Sequence, residues 1–493
     1  MPILAGGQPP VTQGLLAPPL PQIIAEAGLI PAPPVDGPGT FILDDPVNGR
    51  LDVNVLGATT IWTDISAFML GFTISRPSTR LQGPLFQFQA GTCTVTLDNS
   101  DARFDPDNLN GPYVTAGLTR LVPMVPVRIR AVWNGVTYPL FSGFADAWAE
   151  TAVDYEAGYS EVTLSATDVF KVLGGLTLPA ITPPAGASET SGARITRVLD
   201  SARWYTSADK RTIAAGTIFV QATSFGDTAM NLMQIASDSE VGLLYAGPSG
   251  AVVFRDRKAL TSRSQSVNVQ GVFGDSGTAP ELPYAMVARA DDDTALANDI
   301  QAQSLGGTLQ EVTDPASLTR YLFPRTYSRS DLILLSDADT AVWAQWVLFV
   351  SKTAENRFES LTVDPLAQPE DLWPQVLGRD FGDRIQVTKR PQVPAAAVPA
   401  DTLLDQAGGV ITDQGGSALA SELPATAAQT LTITKAEFVT GISHSFDAGT
   451  SAWQTTWTLA DASKYGSGPP AGGGILHLDD PALGRLDINV LSP

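Results

Sequence analysis

Cysteine and histidine are almost absent. Among 493 residues there are one cysteine and two histidines. A lone thiol excludes an internal disulfide. Cys93 alternates into a strand pattern, so it is expected to be a small buried hydrophobe in a chain made in a reducing compartment. Paired histidines or cysteines at zinc-ligand spacing are missing. Basic residues are scarce too: 30 Lys and Arg stand against 51 Asp and Glu, for a net charge of −21. That argues against a nucleic-acid binder, which needs a basic groove for phosphates, and against adhesion to an anionic membrane surface. The excess acid favours solubility. No apolar run approaches the ~20 residues that span a bilayer. Nothing basic precedes Arg50, so no charged start to a signal peptide is expected.

What the chain does have is glycine and proline, 44 and 37 of them, with 44% apolar residues. This suits a β-rich, loop-rich globular protein. The length exceeds what one core holds, so three or four domains are expected. The organising stretch is 86–168. In AGTCTVTLDNSDARFDP (90–106), Cys93, Val95 and Leu97 alternate with polar residues, the period of a half-buried strand. Asp98-Asn99-Ser100-Asp101 then favours a turn. In VPVRIRAVWNGVTYPLFSGFADAW, Val127, Ile129 and Ala131 face one way, and Arg128 and Arg130 the other. Asn134-Gly135 is a strong hairpin signal. SEVTLSATD (160–168) closes a small antiparallel β-barrel or sandwich.

A second stretch has the same parts in the same order. DRIQVTKRP (383–391) matches PVRIRAV. FVTGISHSF (438–446) matches FSGFADAW, each with a phenylalanine shortly before a Gly–apolar pair. AWQTTWTLAD (452–461) matches EVTLSATD. Three matches in one order point to an internal duplication, hence a mainly β chain with two similar small β-barrels, a helix-containing α+β insert and extended terminal arms.

Residues 1–40 read as a Pro-rich N-terminal arm that docks on a neighbouring surface, or else as a disordered tail. Residues 41–57 (FILDDPVNGRLDVNVLG) recur at 476–492 (LHLDDPALGRLDINVLS), with Asp44-Asp45-Pro46 and Gly49-Arg50-Leu51-Asp52 repeated as Asp479-Asp480-Pro481 and Gly484-Arg485-Leu486-Asp487. Each copy reads as a strand–turn–strand docking cassette. A calcium loop would need oxygen ligands at alternating positions and a later Glu; the spacing lacks both. The first barrel spans 58–175. Residues 176–275 form the α+β insert: Ile195, Val198, Leu199 and Ala202 mark one helix face, Ala229, Leu232, Met233 and Ala236 another. VGLLYAGPSGAVVFRDR reads as a hairpin. Residues 276–356 connect, with a helix capped by Ser336 and facing inward through Val342, Trp346, Phe349 and Val350. The second barrel spans 357–462, entered through an LWPQVL turn and carrying a long 392–430 loop. Residues 463–493 are the C-terminal arm.

Catalytic chemistry is not predicted. Gly274-Asp275-Ser276-Gly277 is the sequence around the nucleophile of trypsin-like proteases, which needs a histidine base and an orienting carboxylate. His444 and His477 both follow the serine, the reverse of that order, and VFGDSGTAPELP reads as a polar loop. His444 is expected to be structural. Asp291-Asp292-Asp293 reads as a solvated loop. Among 51 acidic residues nothing singles out a carboxylate pair for glycoside hydrolysis, and no Gly-rich phosphate loop opens a helix. No catalytic, cofactor-binding or metal residue and no cofactor is assigned.

AGTCTVTLDNSDARFDP, PVRIRAVWNGVTYPLFSGFADAW and VTLSATD resemble the first barrel of bacteriophage minor tail proteins of the baseplate-hub (tail-associated) family of long-tailed phages. Residues 195–257 resemble the helical insert of those hubs. RFESLTVDP, LWPQVLGRDFGDRIQV and FVTGISHSF resemble their last barrel. LDDPxxGxLDxxVLG before the W-TDIS strand is similar to their N-terminal start. The resemblance covers about 41–461. It implies a structural protein of the virion, at the phage tail tip, made in the bacterial host cytoplasm. It also implies a homotrimer that joins the tail tube or distal tail ring, the tape measure protein and other minor tail proteins or fibres, and lines the DNA-exit channel. Two barrels per chain in a trimer present six units to a hexameric tube. An acidic channel would let DNA pass without sticking. The competing reading is a receptor-binding tail protein that recognises host cell-wall carbohydrate. That reading calls for clustered exposed aromatics, whereas the nine Trp are spread over strand patterns.

Overall fold

A computed structural model describes residues 19–30, 61–80, 85–115, 117–154, 158–202, 204, 209–393, 414 and 429–465. Both LDDP cassettes, His477 and almost all of the 392–430 loop lie outside the described residues.

The longer elements, in chain order, begin with strands β1 (Gln22–Ile30), β2 (Ile61–Asp64), β3 (Met69–Arg76), β4 (Thr92–Asp98), β5 (Pro126–Trp133), β6 (Val136–Asp154) and β7 (Tyr159–Asp168). Helices α1 (Val169–Gly175), α2 (Ser191–Ser201) and α3 (Ala229–Glu240) precede the hairpin β8 (Leu243–Ala246) and β9 (Val252–Arg255). Next come β10 (Val269–Phe273), β11 (Met286–Asp292), β12 (Asp299–Ser304), β13 (Thr326–Leu332) and α4 (Asp337–Ser351). The chain continues through β14 (Glu355–Val363), α5 (Pro369–Gly378), β15 (Arg384–Lys389), β16 (Ile433–Asp447) and β17 (Ala452–Asp461).

Alternation drives the strands. In β4, Cys93, Val95 and Leu97 are buried while the residues between them face outward. In β5, Val127, Ile129, Ala131 and Trp133 are buried. The opposite face of β5 carries Arg128 and Arg130, both paired with Glu26 of β1 at 2.6 Å. The β5–β6 turn has positive φ at Asn134 (47°) and Gly135 (78°), the left-handed geometry that Asn-Gly favours. The apolar residues expected of the helices are largely buried: Ile195, Val198 and Leu199 in α2, and Ala229, Met233 and Ala236 in α3. Thr190 caps α2 and Thr228 caps α3, each accepting a backbone N–H.

Two five-stranded units share one connectivity. In the first, neighbours run β3, β4, β7, β6, β5; in the second, β11, β14, β17, β16, β15. Each has one long central strand that changes partner midway. The first half of β6 pairs with β5 and the second with β7. The first half of β16 pairs with β15 and the second with β17. Register aligns them: Val95 faces Leu164 and Phe72, as Leu361 faces Trp457 and Val287. A glycine marks each changeover. A Cβ on Gly143 would lie 2.3 Å from the Thr167 carbonyl oxygen, and one on Gly441 2.8 Å from Thr458 Oγ1.

The mainly β architecture with two similar small β units is as expected, but the units are not closed barrels. Among the described residues neither unit closes on itself. Instead β16 pairs antiparallel with β3, Ile442 opposite Arg76 through Asp447 opposite Gly71, and fuses the units into one 13-stranded sheet. The physical reason is that β3 spends its free edge on the other unit, so nothing remains to pair with β5. The far edge of β5 is taken by β1, and that of β15 by β10. One continuous core runs under both units. The insert has its own core of Ile195, Val198, Met233 and Phe254, and the connecting region a third around Ile300, Leu332 and Trp343.

Two local expectations also change. The LWPQVL segment is not a turn but α5, with Leu372, Trp373, Val376 and Leu377 buried. That spacing is helical; Pro369 opens the helix and Pro374 is carried inside it. In α4, Ser336 caps and Val350 is buried as expected, but Trp343, Ala344 and Val347 also face inward while Val342, Trp346 and Phe349 are only half-buried. A helix apolar nearly all round carries too little pattern to choose its face.

Candidate functional site

The feature that organises the molecule is the seam where β16 meets β3. Phe72 of β3 packs on Phe446 of β16 and Trp453 of β17, with ring centres 5.6 and 5.3 Å apart. Across the ladder Ile74 faces His444, Thr73 faces Ser445 and Ser75 faces Ser443. Gly71 is required here, since a Cβ would come within 2.7 Å of the Phe446 carbonyl oxygen.

At the end of β3, Arg76 is 6% exposed and ties three parts of the chain together. It donates to Asp380 Oδ1 (3.0 Å) after α5 and to the Ala246 carbonyl (3.1 Å) of the insert hairpin. The Tyr245 hydroxyl donates to Asp380 Oδ2 at 3.0 Å, and Arg255 Nε donates to the Tyr245 oxygen at 2.8 Å. The Arg76 guanidinium lies 4.4 Å from the Phe381 ring centre, and Phe381 contacts Phe88 and Tyr245. Burial pushes the Asp380 carboxyl up, but the Arg76 charge, the Phe381 N–H and Arg255 outweigh it and hold it below the usual range. Burial raises Asp168 to about 6 despite N–H bonds from Gly91 and Phe170. On β16, burial and then the Arg76 charge lower His444 to about 3, so its ring is neutral. Its Nδ1 hydrogen-bonds Thr455 Oγ1 at 2.9 Å, and Trp453 Nε1 donates to the same oxygen.

The residues weighed for chemistry are not brought together. The Ser276 hydroxyl bonds the Thr278 carbonyl in an exposed turn. Asp275 and Glu281 of that turn both pair with Arg390, and the Glu281 carboxyl is held down at about 2, the Arg390 hydrogen bond being the main cause. His444 is buried in the seam with Thr455 as its partner. Of the acidic run, Asp292 pairs with Arg357 at 3.1 Å, Asp293 pairs with Arg325, and Asp291 accepts from Asn356. Among the described residues no group of three His, Cys, Asp or Glu side chains is placed to hold a metal ion, and no helix is long and apolar enough to cross a membrane. A cleft of about 480 Å³ lies between insert and connecting region, lined by Arg194, Phe225, Asp227 and Ile333 among others. Its buried arginine is already bonded to Glu189, Thr223 and the Gly186 carbonyl.

The Arg76–Asp380–Tyr245–Arg255 knot was not visible in the sequence. Its members are up to 304 positions apart, and each sits in an ordinary local pattern.

No family model and no curated protein matches the sequence. Among solved structures, the fold is similar to that of a tail protein from Neisseria meningitidis MC58, 12% identical with a TM-score of 0.46, covering 82% of this chain and 94% of that one. It is also similar to the 43 kDa tail protein of prophage MuSo2 from Shewanella oneidensis, 12% identical with a TM-score of 0.45, covering 83% and 98%. An Escherichia coli component of the type VI secretion system, described as similar to T4 bacteriophage tail proteins, is 11% identical with a TM-score of 0.35, covering 86% and 87%.

Proposed function

We propose that this chain is a structural phage tail protein of the baseplate-hub kind, acting as a homotrimer at the tail tip. One observation carries the reading: two five-stranded units of identical connectivity lie edge to edge in one sheet. Scaffolding needs repeated, rigid, self-complementary surfaces, and it needs no reactive group. Three copies would present six such units, the number that a hexameric tube ring offers to a plug of threefold symmetry. The tail tube or distal tail ring would sit above, tip proteins or fibres below, and the tape measure protein within reach of the channel. The net charge of −21 suits a channel through which DNA slides without adhering. Mass photometry of the purified full chain tests this reading. A mass three times the 51.9 kDa of one chain is expected. A monomer at every concentration, or release of sugars from host wall polymer, would overturn it.

A further inference from the structure

The internal seam predicts where a second seam must lie. In the first unit the outer edge of β3 is covered by β16. Its counterpart in the second unit is β11, which among the described residues pairs only with β14 and ends the sheet. In the second unit the latter half of β16 has β17 on one side and β3 on the other. Its counterpart is the latter half of β6, which has β7 on one side. The β5 ladder stops at Phe144, opposite Pro126, with Ala145 still bonded to Val125. Among the described residues no strand other than β7 pairs with β6 beyond that point. Each protomer therefore has one socket and one plug of the kind its own halves already use on each other. Open ladder edges are templates for pairing.

We infer that β11 of one copy pairs antiparallel with Ala147–Asp154 of β6 in a second copy of this chain, repeating the β3–β16 seam between molecules. The register follows from the alignment of the units. Phe72 and Val287 hold equivalent places, as do Ile442 and Trp148 through their partners Trp457 and Leu164. Carrying the internal pairs over sets Val287 opposite Val153, Ala288 opposite Ala152, Arg289 opposite Glu150 and Ala290 opposite Ala149. The bulge between Glu150 and Ala152 is included in that count. Arg289 and Glu150 are both exposed in the protomer; they replace the Ile74–His444 pair with opposite charges facing across strands, which is favourable. Met286 stands at the place of Gly71, where a Cβ would crowd the facing carbonyl oxygen, so the repeated ladder starts at Val287. A head-to-tail seam of this kind gives a closed ring of alternating units where its rotation closes, and the two open edges are then covered.

This inference rests on the assembly reading above, and its test separates the two. Ala149→Cys and Ala290→Cys are introduced together in the full chain and oxidised. The native Cys93 is 1% exposed and its thiol is pushed far up by burial, so it stays silent. Ser75→Cys with Ser443→Cys, the equivalent pair of the internal seam, should close within one chain and shows that the ladder geometry admits a disulfide. The expected result is chains linked to one another in the double variant and in neither single variant. An oligomer by mass whose double variant does not link would overturn this seam while leaving the assembly reading standing. A monomer would overturn both. Independently, Arg289→Glu should lower the assembled fraction at a given concentration several-fold, and Arg289→Glu with Glu150→Arg should restore it. Failure of the reversed pair to restore assembly counts against the register.

Discussion

Arg76 and Asp380, 304 positions apart, meet at 3.0 Å where the two units and the insert converge. Both are mostly withdrawn from water, at 6% and 24% exposure, and each has a second partner, the Ala246 carbonyl for Arg76 and the Tyr245 hydroxyl for Asp380. A pair so connected is worth little against an apolar substitute but is costly to break from one side. Arg76→Met should therefore destabilise by about 2–3 kcal/mol, below the fully buried range because Asp380 keeps some contact with water. Arg76→Met with Asp380→Asn should cost less than the sum. Urea denaturation followed by tryptophan fluorescence measures the cycle; strict additivity would show that the two side chains are not coupled.

Glu437, on the first half of β16, is fully buried and accepts the Phe358 N–H at 2.9 Å. Burial, with help from Asp461 and Glu355, raises its carboxyl from about 4.5 to about 8. The folded protein thus holds this proton where the unfolded chain has released it. The resulting stability is complete below pH ~4.5 and lost as pH rises through about 8. Glu437→Gln should match the native protein at pH 4.5 and exceed it by on the order of 3 kcal/mol at pH 9. Melting curves across that range decide the matter; a constant difference would mean the group does not titrate there.

His444 works in the opposite direction. Its ring stays neutral down to about 3, against an ordinary value of 6.5. The stability it contributes is present above pH 6.5 and is lost as pH falls toward 3, because only the unfolded chain takes up the proton. His444→Asn, which keeps a group able to reach Thr455, should flatten the acid limb of the stability profile between those values. A profile as steep as the native one would assign the acid sensitivity elsewhere.

The changeover glycines should respond unequally. Gly143 faces the backbone oxygen of Thr167 and the ring of Phe141, whereas Gly441 faces the side chain of Thr458, which can rotate. Gly143→Ala should cost about 3 kcal/mol and Gly441→Ala about 1 kcal/mol, as overpacking against fixed and movable neighbours. Thermal unfolding of the two variants provides the comparison, and equal losses would contradict the geometry.

Much of this architecture was legible along the chain. Val127, Ile129 and Ala131 announced a strand because side chains alternate across a sheet, and Asn134-Gly135 announced its turn because those residues accept positive φ. The duplicated order of motifs at 126–168 and 383–461 recurs as a duplicated order of strands. LWPQVL read as a turn because proline is a strong local signal, yet α5 carries Pro374 while burying Leu372 and Trp373 against the shared core. Three of the four residues expected on the inward face of α4 are only half-buried, Val350 alone being buried, because its apolar residues cover most of its circumference.

What the amino-acid order determined by itself was local: which residues extend, which turn, which repeat, and that a single cysteine can form no internal disulfide. What only the tertiary structure decided was how the two units are joined. Closing each on itself and joining them at β3 and β16 satisfy the same backbone groups and bury similar alternating faces, so period and propensity do not distinguish them. The choice falls to contacts between residues hundreds of positions apart, Phe72 on Phe446 and Arg76 on Asp380, whose energies exist only once the chain has folded back upon itself.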